Sequence, residues 1–153
     1  MDIELVNPFI ESFESVMPQL GFSHVHRGGL KLNQQLLSFS GVMVIIGIVG
    51  ALKGNAVYCI DNQNARKIAS VMMMGAPVDE LDDMAKSALS ELTNMLTATA
   101  ATSFSENGIS IDISTPTLLS GENVNVKMGS KQVLCIQLIA DEIPIDVNIA
   151  FEE

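Results

Sequence analysis

The chain has 153 residues, of which 48% are hydrophobic and 17% charged, and a formal net charge of −10. That length supports one domain with a buried core, and the composition excludes a disordered chain. So acidic a protein repels phosphate backbones and anionic lipid, which sets nucleic acid and membrane surfaces aside as partners.

The N-terminal run MDIELVNPFIE has neither the basic stretch nor the apolar segment of an export signal. Asn7-Pro8 reads as a helix start, with Asn as the cap and Pro at the first helical position. Phe9, Ile10, Phe13, Val16, Met17 and Leu20 follow at helical spacing. Pro18 is expected to end or bend this helix at Met17, and Gly21 to stop it. Residues 22–33 read as a strand with a turn at Gly28-Gly29. Residues 36–49, with the β-branched core VMVIIGIV, give the strongest strand signal and read as a central strand. The uncharged run 32–52 does not predict a membrane span. Polar residues fill its first half, and its apolar part, 41–52, falls short of about 20 residues. A turn at 50–54 and a strand at 55–60 complete a hairpin. Asn64 is expected to cap a short helix over 65–74, with Gly75 and Pro77 beyond it. Cys59 and Cys135 lie in apolar strand-like runs, which points to buried free thiols and a reducing cytoplasm.

Residues 81–108 predict a long helix. Ser87, Glu91 and Asn94 are spaced i, i+4, i+7 and fall within about 60° of one another on a helical wheel. Leu81, Met84, Ala88, Leu92, Met95 and Leu96 take another arc and are expected to face the core. Beyond Asn94 the polar line meets only Ala98 and Ala101, so nothing large holds a partner's backbone away. Asp79, Glu80, Asp82 and Asp83 crowd the helix start, where the dipole favours them; a cation site is the sharper alternative. Strands are expected at 109–114, 124–128, 132–140 and 143–151, with turns at Gly121 and Gly129-Ser130. Pro144 suits an edge, so the last strand reads as a long edge open to pairing. The element pattern is α+β, and the helix–strands order occurs twice, a coarse echo of duplication.

Familiar catalytic patterns are missing from the sequence. His24 and His26 have no further ligands at a zinc spacing, and the glycines form neither a P-loop nor a dinucleotide fingerprint. No GxSxG elbow occurs. Met72 to Met74 reads as core filler or a soft surface. Glu91 and Asn94 could simply decorate a solvated face; the chain holds another Glu-x-x-Asn, Glu4 to Asn7, in which Asn7 reads as a cap.

Ser87-x3-Glu91-x2-Asn94, followed by Pro116, resembles the [D/S]-x3-E-x2-N-x(21–22)-P signature of the CheC/CheX/FliY chemotaxis phosphatases. The surrounding Ser90-Glu91-Leu92-Thr93-Asn94-Met95-Leu96 and Pro116-Thr117-Leu118-Leu119-Ser120-Gly121 are similar to that family's active helix and Pro-strand-Gly segment. The upstream run Gly50, Gly54, Ala65 and Met73-Met74-Gly75 fits as well. One motif in one domain spanning 1–153 places the resemblance on the CheX-like branch; Ala98 departs where many relatives have Gly. The resemblance implies a CheC-like fold, a mostly antiparallel sheet with long helices on it. It implies hydrolysis of the phospho-aspartate of a CheY-like response regulator in the cytoplasm, by a homodimer. Asn94 would position the attacking water, Glu91 would pair with a receiver lysine, and Ser87 and Pro116 would support them. No cofactor of its own is expected, with Mg²⁺ carried by the receiver. The alternative is a non-catalytic adaptor, flagellar-switch-like, that holds the receiver without hydrolysing it.

Overall fold

The computed structural model describes residues 2–152. A 3-10 turn, Ile3–Val6, runs directly into helix α1, Asn7–Gln19. Pro8 sits in the first turn, but Asn7 is not a cap. The backbone is already helical at Val6, and the capping carboxylate is Asp2, which accepts the Glu4 N–H at 2.9 Å. Pro18 lies in the last turn and costs the helix one N–H there, and α1 outlasts the expected stop at Met17 by two residues. Gly21, at φ +110°, lets the Phe22 N–H return to the Met17 carbonyl at 3.2 Å and closes the helix.

Seven strands follow: β1 Val25–Asn33, β2 Leu36–Gly50, β3 Gly54–Ile60, β4 Ile111–Ile113, β5 Thr117–Lys127, β6 Val133–Ala140 and β7 Ile143–Phe151. They form one antiparallel sheet in the order β1-β6-β7-β3-β2-β4, with β5 also on β2. Helices α2, Asn62–Met72, and α3, Asp83–Glu106, complete the fold. This is the expected α+β architecture. The expected duplication has a counterpart in the strand order. Exchanging β1, β2, β3 for β4–β5, β6, β7 returns the same order read backwards.

Four further expectations are corrected. Gly28-Gly29 makes no turn; β1 continues through a bulge between Arg27 and Leu30. The last strand is not an edge, because β7 pairs with β6 on one side and β3 on the other. Pro144 is tolerated there for a local reason. Asp141 and Glu142, at φ +48° and +69°, make a two-residue turn whose flanking pair, Ala140–Ile143, is hydrogen-bonded. Ile139–Pro144 is therefore the non-bonded pair, and β3 pairing stops at Asp146. Third, Asp61 rather than Asn64 caps α2, accepting the Asn64 N–H at 2.8 Å. Fourth, Gly121 is not a turn but lies opposite Gly41 at a register shift between β2 and β5. Both have positive φ, +136° for Gly41 and +151° for Gly121, and a Cβ on Gly41 would lie 2.6 Å from the Ile60 carbonyl oxygen.

The two faces of the sheet carry separate packing regions. Along one face of the sheet, α1, α2 and α3 cover a continuous core that includes Val44, Ile46, Tyr58, Ile136 and Val147. On the other, Leu37, Phe39, Val124, Val126 and Met128, from the far parts of β2 and β5, pack with Met43, Val57, Cys59, Val133 and Ala150. β4 and β5 form one broken edge along β2. Ile113 faces Ile48 and Thr117 faces Ile45, with an extra residue between. Ser114 stitches the gap: its N–H donates to the Gly47 carbonyl at 2.9 Å and its Oγ accepts the Gly47 N–H at 2.8 Å. Pro116, which has no N–H to offer a ladder, occupies this break.

Candidate functional site

Helix α3 carries the expected trio. Asp82 caps it, accepting the Ala85 N–H at 2.9 Å, and only Asp83 lies in its first turn. Asp79 and Glu80 precede the helix, and the Asp79 carbonyl accepts from the Arg66 guanidinium at 3.0 Å. Among the described residues, no group of three or more His, Cys, Asp or Glu side chains is placed to hold a metal ion. His24 and His26 are exposed at the start of β1.

The buried stripe of α3 differs from the expected one. It consists of Ala85, Leu89, Leu92, Thr93, Leu96, Thr97, Ala100 and Phe104. Leu81, Ala88 and Met95 are only half-buried, and Met84 is 67% exposed. The stripe is turned by roughly 100° from the arc through the methionines. Two threonines make that possible. Thr93 Oγ1 donates to the Leu89 carbonyl at 3.1 Å and Thr97 Oγ1 to the Thr93 carbonyl at 2.7 Å, so both hydroxyls are satisfied within the helix. Tyr58 lies 2.8 Å from Thr97 Oγ1. The threonine's single proton is already used, so the phenol must be the donor to it. Burial pushes the Tyr58 phenol above its ordinary pKa and keeps it protonated.

Ser87 and Glu91 are exposed and Asn94 is half-buried, on the side of α3 away from the buried stripe. Along the axis Glu91 lies about 6 Å from Ser87 and about 4.5 Å from Asn94. Other polar residues of α3 have visible structural tasks. Ser103 donates to Glu11 at 2.8 Å, and the Asn107 amide returns to the Ser103 carbonyl at 3.0 Å. Ser87, Glu91 and Asn94 make no side-chain hydrogen bond to any described residue. The face thus offers a carboxylate and an amide, the latter both donor and acceptor, with Ala98 exposed beyond them. Pro116 is not on this face. It sits half-buried in the broken edge strand, beside β4, against which α3 packs.

The other Glu-x-x-Asn is placed by the internal symmetry. The shift in numbering that carries Gly21 onto Gly108, the two helix-closing glycines, also carries Glu4 onto Glu91 and Asn7 onto Asn94. Both Glu4 and Asn7 are exposed. Yet α1 begins at Asn7, so no helical turn precedes the pair. Asp2 and Glu11 line the same cleft of about 390 Å³, where added negative charge opposes a phosphoryl group. Sequence reasoning saw the spacing but lacked the strand order that reveals the equivalence.

A single antiparallel sheet with this strand order, a long helix lying on it and a free Ser-x3-Glu-x2-Asn face define a CheC-like α+β protein. A family model described as chemotaxis phosphatase CheX matches residues 42–138, a span holding Ser87, Glu91, Asn94 and Pro116. The chain belongs to that family. It is 31% identical over 128 residues to the CheY-P phosphatase CheX of Thermotoga maritima, covering 83% of this chain and 82% of the relative. The fold matches a crystal structure of chemotaxis protein CheX from Desulfovibrio desulfuricans with a TM-score of 0.85 at 22% identity, over 98% of this chain and 100% of that one. It also matches the CheX–CheY–BeF3–Mg²⁺ complex from Borrelia burgdorferi, with a TM-score of 0.83 at 27% identity over 99% and 100% of the two chains.

Proposed function

We propose that this chain is a phosphatase that hydrolyses the phospho-aspartate of a CheY-like response regulator, using the exposed face of α3. The observation that carries this is the unengaged Glu91–Asn94 pair inside the family-matched segment. The named activity of the Thermotoga relative and the receiver held in the Borrelia complex support it.

An acyl phosphate is already activated, so the missing element is a water in line with the phosphorus. The Asn94 amide accepts from that water through its oxygen and can donate to a phosphoryl oxygen through its nitrogen, without adding negative charge. The water oxygen bonds to phosphorus while the bond from phosphorus to the aspartyl oxygen breaks. The carboxylate leaves, and the water's proton passes to inorganic phosphate. Glu91, one turn away, is suited to a cation, the active-site lysine of the receiver. Ser87 borders the same face as a helper, and no adjacent base makes it a nucleophile. Pro116 supports the strand beside the helix. Mg²⁺ belongs to the receiver and neutralises the phosphoryl, so divalent ions should act only when the receiver is present.

A homodimer fits the two available sheet edges, β1 and the β4–β5 line, rather than β7. Sedimentation as a monomer at micromolar concentration would count against it. The test of activity is phosphate release from a phosphorylated CheY-like receiver with catalytic amounts of this chain. Multiple turnovers are expected. Stoichiometric binding without release would make the chain an adaptor instead.

A further inference from the structure

Met84 belongs to neither core and is 67% exposed, whereas Met17, Met43 and Met128 are fully buried. The fold therefore makes no use of its thioether. It lies seven residues before Glu91, within about 20° of it on the helical wheel and about 10.5 Å away along the axis. Ser87 lies between them. A stable interface takes about 800 Å² from each partner, a patch roughly 16 Å in radius. A globular partner whose patch of that size is centred on Glu91 and Asn94 covers Met84 as well.

We infer that Met84 is a specificity-determining anchor for the phosphorylated receiver, taken up by an apolar ledge of that partner about 10 Å from its phospho-aspartate. This rests on the phosphatase reading above and adds to it. The line along α3 then has three parts. Met84 supplies apolar contact at the N-terminal end, Glu91 and Asn94 address the charged centre, and Ala98 leaves room at the far end. An unbranched thioether suits this task, since it moulds to a shallow surface at little strain. A charge at position 84 would have to be desolvated against that ledge, which disfavours binding more than truncation does. Receivers lacking an apolar surface at that distance should be poor substrates, although their phosphoryl chemistry is the same.

The experiment is a titration of phosphorylated receiver against the wild type, Met84→Ala, Met84→Leu and Met84→Asp, with sedimentation of each isolated chain. Met84→Ala should raise KM about tenfold with kcat within twofold, the pattern of lost uniform binding. Met84→Leu should stay within about threefold of wild type, and Met84→Asp should exceed Met84→Ala. Unchanged KM in Met84→Asp would overturn the assignment. So would an altered sedimentation coefficient with unchanged KM, which would make a second copy of this chain the occupant. If the wild type turns over no phosphate, binding to the beryllofluoride-bearing receiver decides. Weaker binding by Met84→Asp supports the anchor while the phosphatase reading fails; equal or absent binding removes the anchor.

Discussion

Replacing Asn94 and Glu91 one at a time separates the two roles assigned to the α3 face. Neither residue belongs to the buried stripe, and neither side chain is hydrogen-bonded to a described residue. Each alanine should therefore leave stability within about 0.5 kcal/mol. Asn94→Ala removes the group proposed to hold the water. A reactant displaced by about an ångström loses roughly 10²-fold in rate, or about 2.7 kcal/mol, and the loss should fall on kcat. Glu91→Ala removes half of the proposed ion pair with the receiver. At about 4 Å such a pair contributes between about 1 kcal/mol in water and about 4 kcal/mol near a partly dried surface. A rise in KM of roughly tenfold lies inside that range. The Glu91 effect should fade between about 0.1 M and 1 M salt, as the screening length falls from about 10 Å to about 3 Å, while the Asn94 effect should not. The assay is phosphate release against receiver concentration at both salts, with thermal melts alongside. Wild-type turnover by Asn94→Ala would refute the water-positioning role. Early melting of both variants would show that the face is structural.

Three other outcomes follow from the packing. Gly41→Ala forces a side chain into φ +136° and within 2.6 Å of the Ile60 oxygen, so it should cost about 3 kcal/mol and lower Tm by about 6–12 °C, whereas Gly29→Ala, with nothing within 4 Å, should be neutral or mildly stabilising; melting curves compare them. Tyr58→Phe removes a donor but leaves Thr97 bonded to Thr93, costing about 1 kcal/mol, while Thr97→Val strands a buried phenol and should cost more; urea midpoints in the opposite order would refute the assigned direction of that bond. Burial, then the nearby Asp146 carboxylate, pushes the Cys59 thiol up to about 12 and Cys135 up to about 11. Both folded values lie above the ordinary thiol value, so their contribution to stability is intact below pH 9 and lost as pH rises toward 11 and 12; urea midpoints should hold to about pH 8.5 and then fall.

The elements that the sequence made legible are those specified by local chemistry. The apolar run of β2, the Gly21 and Gly108 stops, and the exposed position of Ser87 and Glu91 need only periodicity and backbone preference. The strand misreadings depend on distant partners, whereas the two helix caps and the face of α3 were misread at close range. Pro144 looked like an edge residue because its permissive pairing position is fixed by the Asp141-Glu142 turn and by where β3 stops. Gly28-Gly29 and Gly121 looked like turns because a glycine at a bulge has the same signature as one in a loop. The rotation of α3 was missed because a hydropathy pattern places methionines inside and threonines outside. Thr93 and Thr97 reverse that order once their own helix satisfies them. The same error concealed Met84, whose exposure only becomes informative after the helix is turned.

The distribution of these contacts along α3 fixes the backbone at half-buried Asn94, as the proposed water-positioning role requires. The helix is locked over its second half from three directions. Ser12 of α1 donates to the Leu96 carbonyl, and Tyr58 of the sheet reaches Thr97. Phe104 stands edge-on to Phe9 and Phe151, with ring centroids 6.0 and 6.3 Å away. Its first two turns are fixed separately by the Asp82 cap and by the burial of Ala85 and Leu89. Asn94 lies between these anchors, adjacent to buried Thr93 and three residues before Thr97. Its Cα is therefore held by helix geometry, and only the side-chain torsions remain for the partner to set. Phe104 is buried near the C-terminal end of the helix, while its N-terminal half presents Met84, Ser87 and Glu91 outward. One rigid element can then serve both needs of the proposed reaction: a fixed amide for the water, and an adaptable border that admits a receiver and excludes solvent around it.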